Sequence, residues 1–211
     1  ARFKPNEAIA LMGPTGVRTK VAAGEKLLVI GGSMAAIYLL SMSREWQEAG
    51  VEVIYLATFK TAEDIFSRSE LEAVCSEIHW LSGEESLRDK LSQGFADLGA
   101  KLAAINTVWV IGSTQLLRSV QHLRAELALT EATEFKASVY GPMQCMLKGV
   151  CAQCLQWQID PKTGQRTKAV YACSWHNQPL EIIDIDNLDE RLKQNQMQEK
   201  LSELWLDYLE S

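Results

Sequence analysis

The chain has 211 residues, of which 47% are hydrophobic and 23% charged, and its formal net charge is −6. This composition excludes an intrinsically disordered chain, because the apolar content suffices for a core and the net charge is low for the length. The acidic balance argues against a nucleic-acid-binding surface. The most apolar stretches are far shorter than the roughly 20 residues that a transmembrane helix needs, so we expect no membrane span.

The beginning of the chain gives two expectations about its origin. It starts at Ala1, within a polar segment, which predicts that it is a piece of a longer protein. These residues do not have the pattern of a secretory signal peptide, so a cytoplasmic location is expected. Residues 1–26 are predicted to be irregular and contain a Gly-Pro-Thr-Gly turn at 13–16.

Short apolar runs alternate with segments of helical periodicity from residue 27 to residue 140. The runs 26–30 and 107–111 are typical of buried parallel strands, and each leads into a glycine turn. Further strands are predicted at 51–57, 77–81 and 135–140, and helices at 34–49, 69–76, 84–104 (interrupted near Gly99) and 115–129. This order predicts an α/β fold, with an open, mostly parallel five-stranded sheet and helices on both faces.

The two glycine turns, at 31–33 and 112–113, lie at the carboxyl ends of predicted strands. Ligands of parallel sheets bind beyond those ends, so we expect both turns to face one crevice. The first turn leads directly into a predicted helix, whose free N–H groups favour a phosphate group. Glycine turns after strands are also common for purely structural reasons, so the motif alone leaves both interpretations open.

After residue 140 the sequence changes character, and residues 141–186 are rich in cysteine, glycine and polar residues. Such a unit buries little apolar surface, so a metal ion or cluster is expected to organise it. A turn at 160–164 predicts a hairpin. Residues 187–211 are predicted to form a C-terminal helix with an incomplete apolar stripe, which packs either on the body of the protein or on a missing partner.

Four of the five cysteines lie within 29 residues, which indicates a metal site more than a disulfide framework. The four are Cys145, Cys151, Cys154 and Cys173. Four thiolates can hold a two-iron [2Fe–2S] cluster or one zinc ion. A zinc site in which His176 replaces Cys145 is a further alternative. The fifth cysteine, Cys75, lies in an apolar-periodic stretch and is predicted to be a buried structural thiol.

The order of these motifs resembles the ferredoxin–NAD(P)⁺ reductase superfamily from residue 8 to about residue 185. Within it, the sequence is similar to the electron-transfer subunit of dihydroorotate dehydrogenase and to the gamma subunits of hydrogenase and sulfide dehydrogenase. The turn at 13–16 resembles the Gly-Pro-Leu-Gly turn after the family's flavin-binding barrel. Segment 58–64 resembles the one near the nucleotide ribose, and 110–113 resembles the family's Cys-Gly-Pro turn. The four clustered cysteines fall where the family binds [2Fe–2S].

Three features depart from the family's pattern. Residues 31–36, Gly-Gly-Ser-Met-Ala-Ala, stand where the family has Gly-Gly-Gly-x-Gly-x, so Ala35 adds a Cβ where pyrophosphate is expected to approach. Residues 111–113, Ile-Gly-Ser, replace Cys-Gly-Pro, and the first cysteine gap is five residues where the family usually has four. These departures bear on nucleotide affinity more than on the fold.

The resemblance also implies cofactors and the residues that hold them. Those residues are Gly13, Pro14, Thr15, Gly31, Gly32, Ser33, Met34, Ala35, Thr58, Phe59, Gly112, Ser113 and Thr114. The implied cofactors are a [2Fe–2S] cluster (or zinc in its place) on the four clustered cysteines, NAD(P)H, and FAD or FMN on a missing domain. No catalytic side chain is implied, because the cofactors carry the redox chemistry.

Four parts are therefore expected. They are a flavin-barrel tail and linker (1–26), an NAD(P)-binding-like domain (27–140), a [2Fe–2S]-type unit (141–186) and a C-terminal helix (187–211). The expected function is electron passage between NAD(P)H, a flavin and the cluster. The expected partners are a flavin-binding domain, in the same longer chain or a separate subunit, and a downstream electron acceptor or donor protein; the piece alone is expected to be inactive. One alternative is a non-catalytic scaffold with a degenerate nucleotide site and structural zinc. A second alternative is a nucleotide-sensing domain in which the metal has a purely structural role.

Overall fold

The fold is built around a parallel sheet with a hairpin and a long helix at one edge. The computed structural model describes residues 4, 6–10, 19–124, 126–127, 129, 132–139, 152 and 154–210, without the side chains of 139, 194–196, 198–199 and 210. The strands are β1 (Lys26–Gly31), β2 (Glu52–Thr58), β3 (Glu77–Leu81), β4 (Thr107–Gly112), β5 (Glu134–Val139), β6 (Leu155–Ile159), β7 (Arg166–Tyr171) and β8 (Gln178–Pro179). The helices are α1 (Ser33–Glu48), α2 (Arg68–Val74), α3 (Leu87–Leu98), α4 (Thr114–Arg124) and α5 (Ile185–Glu210), with short 3₁₀ helices at Ala62–Asp64, Gly99–Ala104 and Leu180–Ile182.

The main sheet has the strand order β3-β2-β1-β4-β5-β8. The first five strands pair in parallel, as predicted, and the chain alternates between strand and helix along them. The predicted number of five strands is wrong, because β8 adds a sixth strand that pairs antiparallel with β5. This strand has two residues, Gln178 and Pro179, and carries no alternating pattern that a sequence could reveal. Its place at the sheet edge tolerates the proline.

Alternating side chains of the central strands enter two cores, one on each face of the sheet. From β1, Leu28 and Ile30 enter the core that α3, α4 and the start of α5 cover. Leu27 and Val29 enter the core that α1 and α2 cover. All four are at most 1% exposed. The continuous apolar run in β1 is therefore explained by burial on both faces, which is typical of a parallel strand.

The helix boundaries follow from local chemistry. Helix α3 begins at Leu87, later than predicted, because the Ser86 hydroxyl accepts a hydrogen bond from the Asp89 N–H (3.2 Å) and caps the helix there. It ends before Gly99, which has a φ of +49° and starts a 3₁₀ segment, so the predicted interruption is confirmed. The turn at 160–164 connects β6 to β7 in the antiparallel hairpin that it predicted.

Helix α5 divides into two parts. Its first turns pack on the body of the protein, where Leu188 is 2% exposed and Leu192 contacts the core. Further along the helix the large apolar side chains are exposed, namely Met197, Leu201, Leu204, Trp205, Leu206, Tyr208 and Leu209. The first turns of the helix thus pack on the body of the protein, which was one of the two expected placements, and the later turns expose their apolar side chains to solvent. Among the described residues, no helix has the length and the apolar character to cross a bilayer.

Candidate functional site

A cavity of about 810 Å³ opens at the carboxyl ends of the parallel strands. Its wall is made by the segments that follow β1, β2, β3 and β4, together with the first turns of α1, α3 and α4. The residues that line it are Gly32, Ser33, Met34, Thr58, Phe59, Lys60, Thr61, Gly83, Glu84, Glu85, Leu87, Lys90, Ile111, Gly112, Ser113, Gln115 and Leu116. Both glycine turns therefore meet at one crevice, as predicted from the strand order.

Crowding of the backbone explains why glycines occupy the last position of β1 and the position after it. A Cβ added at Gly31 would lie 2.2 Å from the carbonyl oxygen of Ile111 and 2.6 Å from the Cβ of Ala35. A Cβ at Gly32 would lie 2.7 Å from the carbonyl oxygen of Thr58. These positions therefore lack side chains because neighbouring strands and α1 pass close to them. Gly31 lies behind the cavity wall and is not among its lining residues.

Tyr55 holds this turn in place from the adjacent strand β2. Its hydroxyl lies 3.0 Å from the carbonyl oxygens of both Gly31 and Gly32 and donates to them. Burial raises the pKa of Tyr55, so the phenol keeps the proton that it donates. Sequence reasoning missed this residue, because a buried strand gives no indication of where a single hydroxyl points.

The amino-terminal end of α1 faces the cavity through Ser33 and Met34. Gly32 precedes the helix and offers no side-chain cap, and the first turn contains no acidic residue. The N–H groups of this turn thus lack a local side-chain acceptor, which is the arrangement that binds anions at helix ends. Ala35 is fully buried and its Cβ packs toward Gly31, so its methyl group lies outside the cavity wall.

The rim of the cavity carries both signs of charge. Lys60 follows β2, while Glu84 and Glu85 lie in the loop after β3. The Lys90 ammonium donates to the carbonyl oxygen of Gly83 at 2.6 Å and so holds this loop against α3. A ligand bound here contacts both cationic groups and carboxylates. Its phosphate groups can pair with the cationic groups, and its hydroxyl groups can donate hydrogen bonds to the carboxylates.

The far wall is formed where β4 passes into α4. The Ser113 hydroxyl accepts a hydrogen bond from the Leu116 N–H (3.3 Å) and caps α4. Thr114 is 8% exposed, and its hydroxyl donates to Asp189 of α5. Thr114 therefore stands outside the cavity lining, unlike Gly112 and Ser113. Of the implied cofactor-binding residues, Gly13, Pro14 and Thr15 lie outside the described residues.

Two of the four clustered cysteines lie within the described part of the chain, and they are neighbours. The Ala172 N–H donates to the carbonyl oxygen of Cys154 (3.1 Å), which brings the ends of the β6–β7 hairpin together. Burial raises the pKa of the Cys154 thiol, and the adjacent Cys173 thiol acts in the same direction. Cys145 and Cys151 lie outside the described residues.

The ring of His176 contacts a residue outside the hairpin unit. Its Nε2 atom lies 3.3 Å from the Thr19 hydroxyl. Within the described ranges, no group of three or more His, Cys, Asp or Glu side chains could hold a metal ion, and Cys154, Cys173 and His176 all belong to those ranges. The alternative zinc site that includes His176 is therefore not formed here. Cys75 is partly buried, and burial raises the pKa of its thiol to about 12, as suits a structural thiol.

Comparison with known proteins gives distant relatives. The chain is 29% identical over 197 residues to an uncharacterized protein of Rickettsia prowazekii, which covers 93% of this chain and 21% of that protein. It is 25% identical over 183 residues to the electron transfer subunit of dihydroorotate dehydrogenase B (NAD⁺) of Enterococcus faecalis, which covers 82% of this chain and 64% of the relative. No family model matches the chain.

A solved structure of an NADH-dependent reduced ferredoxin–NADP oxidoreductase, described for flavin-based electron bifurcation, superimposes with a TM-score of 0.71. The identity is 20%, and the match covers 94% of this chain and 67% of that chain. At this identity the likeness shows the shared fold.

The resemblance to the ferredoxin–NAD(P)⁺ reductase superfamily is confirmed. The chain spans about a fifth of the first curated relative and just under two thirds of the second. The mostly parallel six-stranded sheet described above agrees with this fold.

Proposed function

We propose that this chain is the NAD(P)-binding and iron–sulfur portion of a flavin-dependent oxidoreductase. One observation carries the proposal: the cavity at the carboxyl ends of β1, β2 and β4 receives the uncapped end of α1, in a chain with a distant homologue that is an electron transfer subunit. Phosphate groups bind at such helix ends because the free N–H groups and the helix dipole both favour negative charge. The neighbouring cysteine unit supplies a second redox site.

The residues of the cavity have separable tasks. The first turn of α1, from Ser33, binds the pyrophosphate, and Tyr55 keeps the preceding turn in shape. Phe59 is 4% exposed and lies against Trp80 (ring centroids 6.2 Å apart), so it forms a fixed apolar wall. Gly112 and Ser113 close the opposite side. When bound, the nicotinamide, the flavin and the cluster supply hydride and single-electron transfer.

One contact in the cysteine unit suits a thiolate-bound group. Cys154 is buried and Cys173 is partly buried, and the two thiols are adjacent, as a pair of cluster ligands must be. Cys145 and Cys151 complete the proposed ligand set, and flavin is assigned to a separate domain or subunit. The four-part division at residues 26, 140 and 186 is part of this proposal.

The first experiment is a visible absorption spectrum with metal analysis of the anaerobically purified chain. The proposal expects broad bands between about 400 and 600 nm, with two irons and two labile sulfides per chain. A colourless protein with one zinc that persists after attempted cluster reconstitution would contradict electron transfer. The cysteines would then hold a structural zinc in a scaffold.

A second experiment tests the nucleotide cavity by itself. Ser33→Asp adds a carboxylate to the first turn of α1, which favours the helix dipole but repels phosphate. We expect NAD⁺ or NADP⁺ to bind at least tenfold more weakly by calorimetry, while thermal stability is kept. Ser41→Asp, at an exposed position in the same helix, is the matched control. Equal nucleotide affinity in the two variants would show that the first turn of α1 does not bind the nucleotide.

A further inference from the structure

The later turns of α5 carry an apolar face that differs from the face packed on the protein. Leu188 and Leu192 of the first turns contact the core. Leu201 follows Leu192 by nine residues, and nine residues make about two and a half turns at roughly 3.6 residues per turn. Leu201 therefore lies on the opposite side of the helix. Because the first turns are fixed with their own face on the core, the second face is directed away from it.

Five large side chains recur on this second face at helical spacing. They are Met197, Leu201, Leu204, Trp205 and Tyr208, which we call the α5 stripe. Each of them is between 57% and 70% exposed. The rings of the last two extend the surface together, with their centroids 5.8 Å apart. A continuous apolar surface of this kind is typical of a protein–protein interface, in which Met, Trp and Tyr are enriched.

The spacing within the α5 stripe favours pairing with the same helix of a second copy. Its steps are four, three and four residues, at Met197, Leu201, Leu204 and Tyr208. These are the d and a positions of a coiled coil, where the side chains of one helix fill the spaces between those of the other. The steps are the same in both directions along the helix. Two antiparallel copies therefore place Leu201 against Leu204 of the second copy, and the outer two residues against each other in the same way.

Two opposite charges beside the stripe favour the antiparallel direction. Lys200 and Asp207 are seven residues apart, so they lie on the same side of the helix, and both are exposed. Each precedes an a position by one residue, which is the g position of the coiled coil. The g positions of antiparallel helices face each other, so Lys200 lies beside Asp207 of the second copy, and the reciprocal pair forms as well. In a parallel pair, Lys200 faces Trp205 of the second copy and both ion pairs are lost.

We infer that the α5 stripe is a self-association surface, on which two copies of the chain pair their α5 helices antiparallel about a twofold axis. A twofold interface uses the same patch on both copies, so every contact occurs twice. This inference goes beyond the proposed function and uses neither the nucleotide cavity nor the cysteines. The stripe is short, so the fraction of dimer should depend strongly on protein concentration.

The test is sedimentation velocity of the 211-residue chain over a roughly hundredfold range of concentration. The wild type is compared with Leu204→Glu, which places a carboxylate against an apolar side chain in the centre of the interface. Leu206→Glu is the matched control, because Leu206 is 46% exposed and lies on the other side of the same helix. Circular dichroism establishes that the variants keep the helix content of the wild type.

We expect the mass of the wild type to rise from one chain to two across this range. The dissociation constant of Leu204→Glu should be at least tenfold higher, because each dimer would bury two carboxylates without partners. Leu206→Glu should associate as the wild type does.

A charge exchange tests the direction of the helices. Lys200→Asp brings like charges together twice in the antiparallel dimer, so we expect roughly threefold to tenfold weaker association at low ionic strength and a smaller effect at high salt. Lys200→Asp combined with Asp207→Lys restores both ion pairs and should recover the affinity of the wild type. Failure of this recovery would contradict the antiparallel arrangement.

Two further results would overturn the inference. If the wild type sediments as a single chain at every concentration, the α5 stripe does not pair two copies and a different partner covers it. If Leu206→Glu weakens the dimer as strongly as Leu204→Glu, the copies meet through another face of the helix. Neither result bears on the proposed function, which the absorption spectrum tests separately.

Discussion

The parallel sheet and the hairpin unit are stabilised in different ways. In β1, β2 and β4 nearly every side chain is buried and apolar, whereas β7 is exposed along most of its length. Buried positions of the hairpin and β8 include the amides of Gln156, Gln158 and Gln178, which are each 1–2% exposed. The sheet is therefore maintained by removal of apolar surface from water, and the hairpin unit by hydrogen bonds and by its proposed metal centre.

The largest effect is expected from loss of a cysteine ligand. Cys154→Ala removes a thiolate from the proposed set, so we expect loss of bound metal and of ordered structure in the hairpin, because metal binding and folding of such units are coupled. The sheet keeps its cooperative thermal transition. Metal analysis and hydrogen exchange measure the two parts separately. Cys75→Ala removes a partly buried thiol remote from the hairpin and should leave the metal in place; full metal content in Cys154→Ala would refute its role as a ligand.

The second prediction concerns the sheet. Leu56 in β2 is fully buried in the core beneath α3. Leu56→Ala leaves a cavity and is expected to lower the free energy of unfolding by about 3 kcal/mol, measured by urea denaturation, whether or not metal is bound. Ile37→Ala is the control, since Ile37 is 51% exposed in α1 and should change stability by less than about 0.5 kcal/mol. If the loss of unfolding free energy in Leu56→Ala depended on bound metal, the sheet and the hairpin unit would unfold as one cooperative unit.

The sequence predicted the parallel sheet better than the hairpin unit, and the reason is physical. Strands β1 and β4 were placed within one residue of their observed bounds, and both glycine turns were placed at one crevice, because buried parallel strands leave continuous apolar runs. The contacts that it missed join distant positions, such as Tyr55 to Gly31 and Arg191 to Ala152. Such contacts consist of individual hydrogen bonds between residues that are remote in sequence. They produce no periodic pattern of residue types from which they could be predicted.

The third prediction addresses the amides of the hairpin region. The Gln178 amide donates to Gln156 (2.5 Å) and accepts from Gln158 (2.8 Å), so it connects β8 to the hairpin. Gln178→Ala leaves both partners with unsatisfied buried groups and is expected to cost about 2 kcal/mol of unfolding free energy. Gln165→Ala, on an exposed turn, is the control. If the two variants unfold at the same urea concentration, the amide chain does not contribute to stability.

The smallest effect is a pH dependence at the junction of the two regions. Burial lowers the pKa of His176, whose ring contacts Thr19, while its carbonyl oxygen accepts from the Ser138 hydroxyl. The unfolded chain takes up a proton at His176 near pH 6.5, and the folded chain does so only at lower pH. Between these two values the unfolded state binds more protons, so stability is full above about pH 6.5 and falls as the pH decreases.

His176→Gln removes this titration while it keeps a polar side chain beside Thr19. The variant should therefore lose less stability than the wild type between pH 7 and pH 5 in parallel urea titrations, and the two should differ little in slope above pH 7. His122→Gln, on an exposed part of α4, controls for the removal of a histidine. A pH profile of His176→Gln that runs parallel to the wild type would show that the ring is equally accessible to protons in both states. Water would then reach the boundary between the hairpin and the sheet in the folded protein. The tight packing of the sheet would thus end at this boundary.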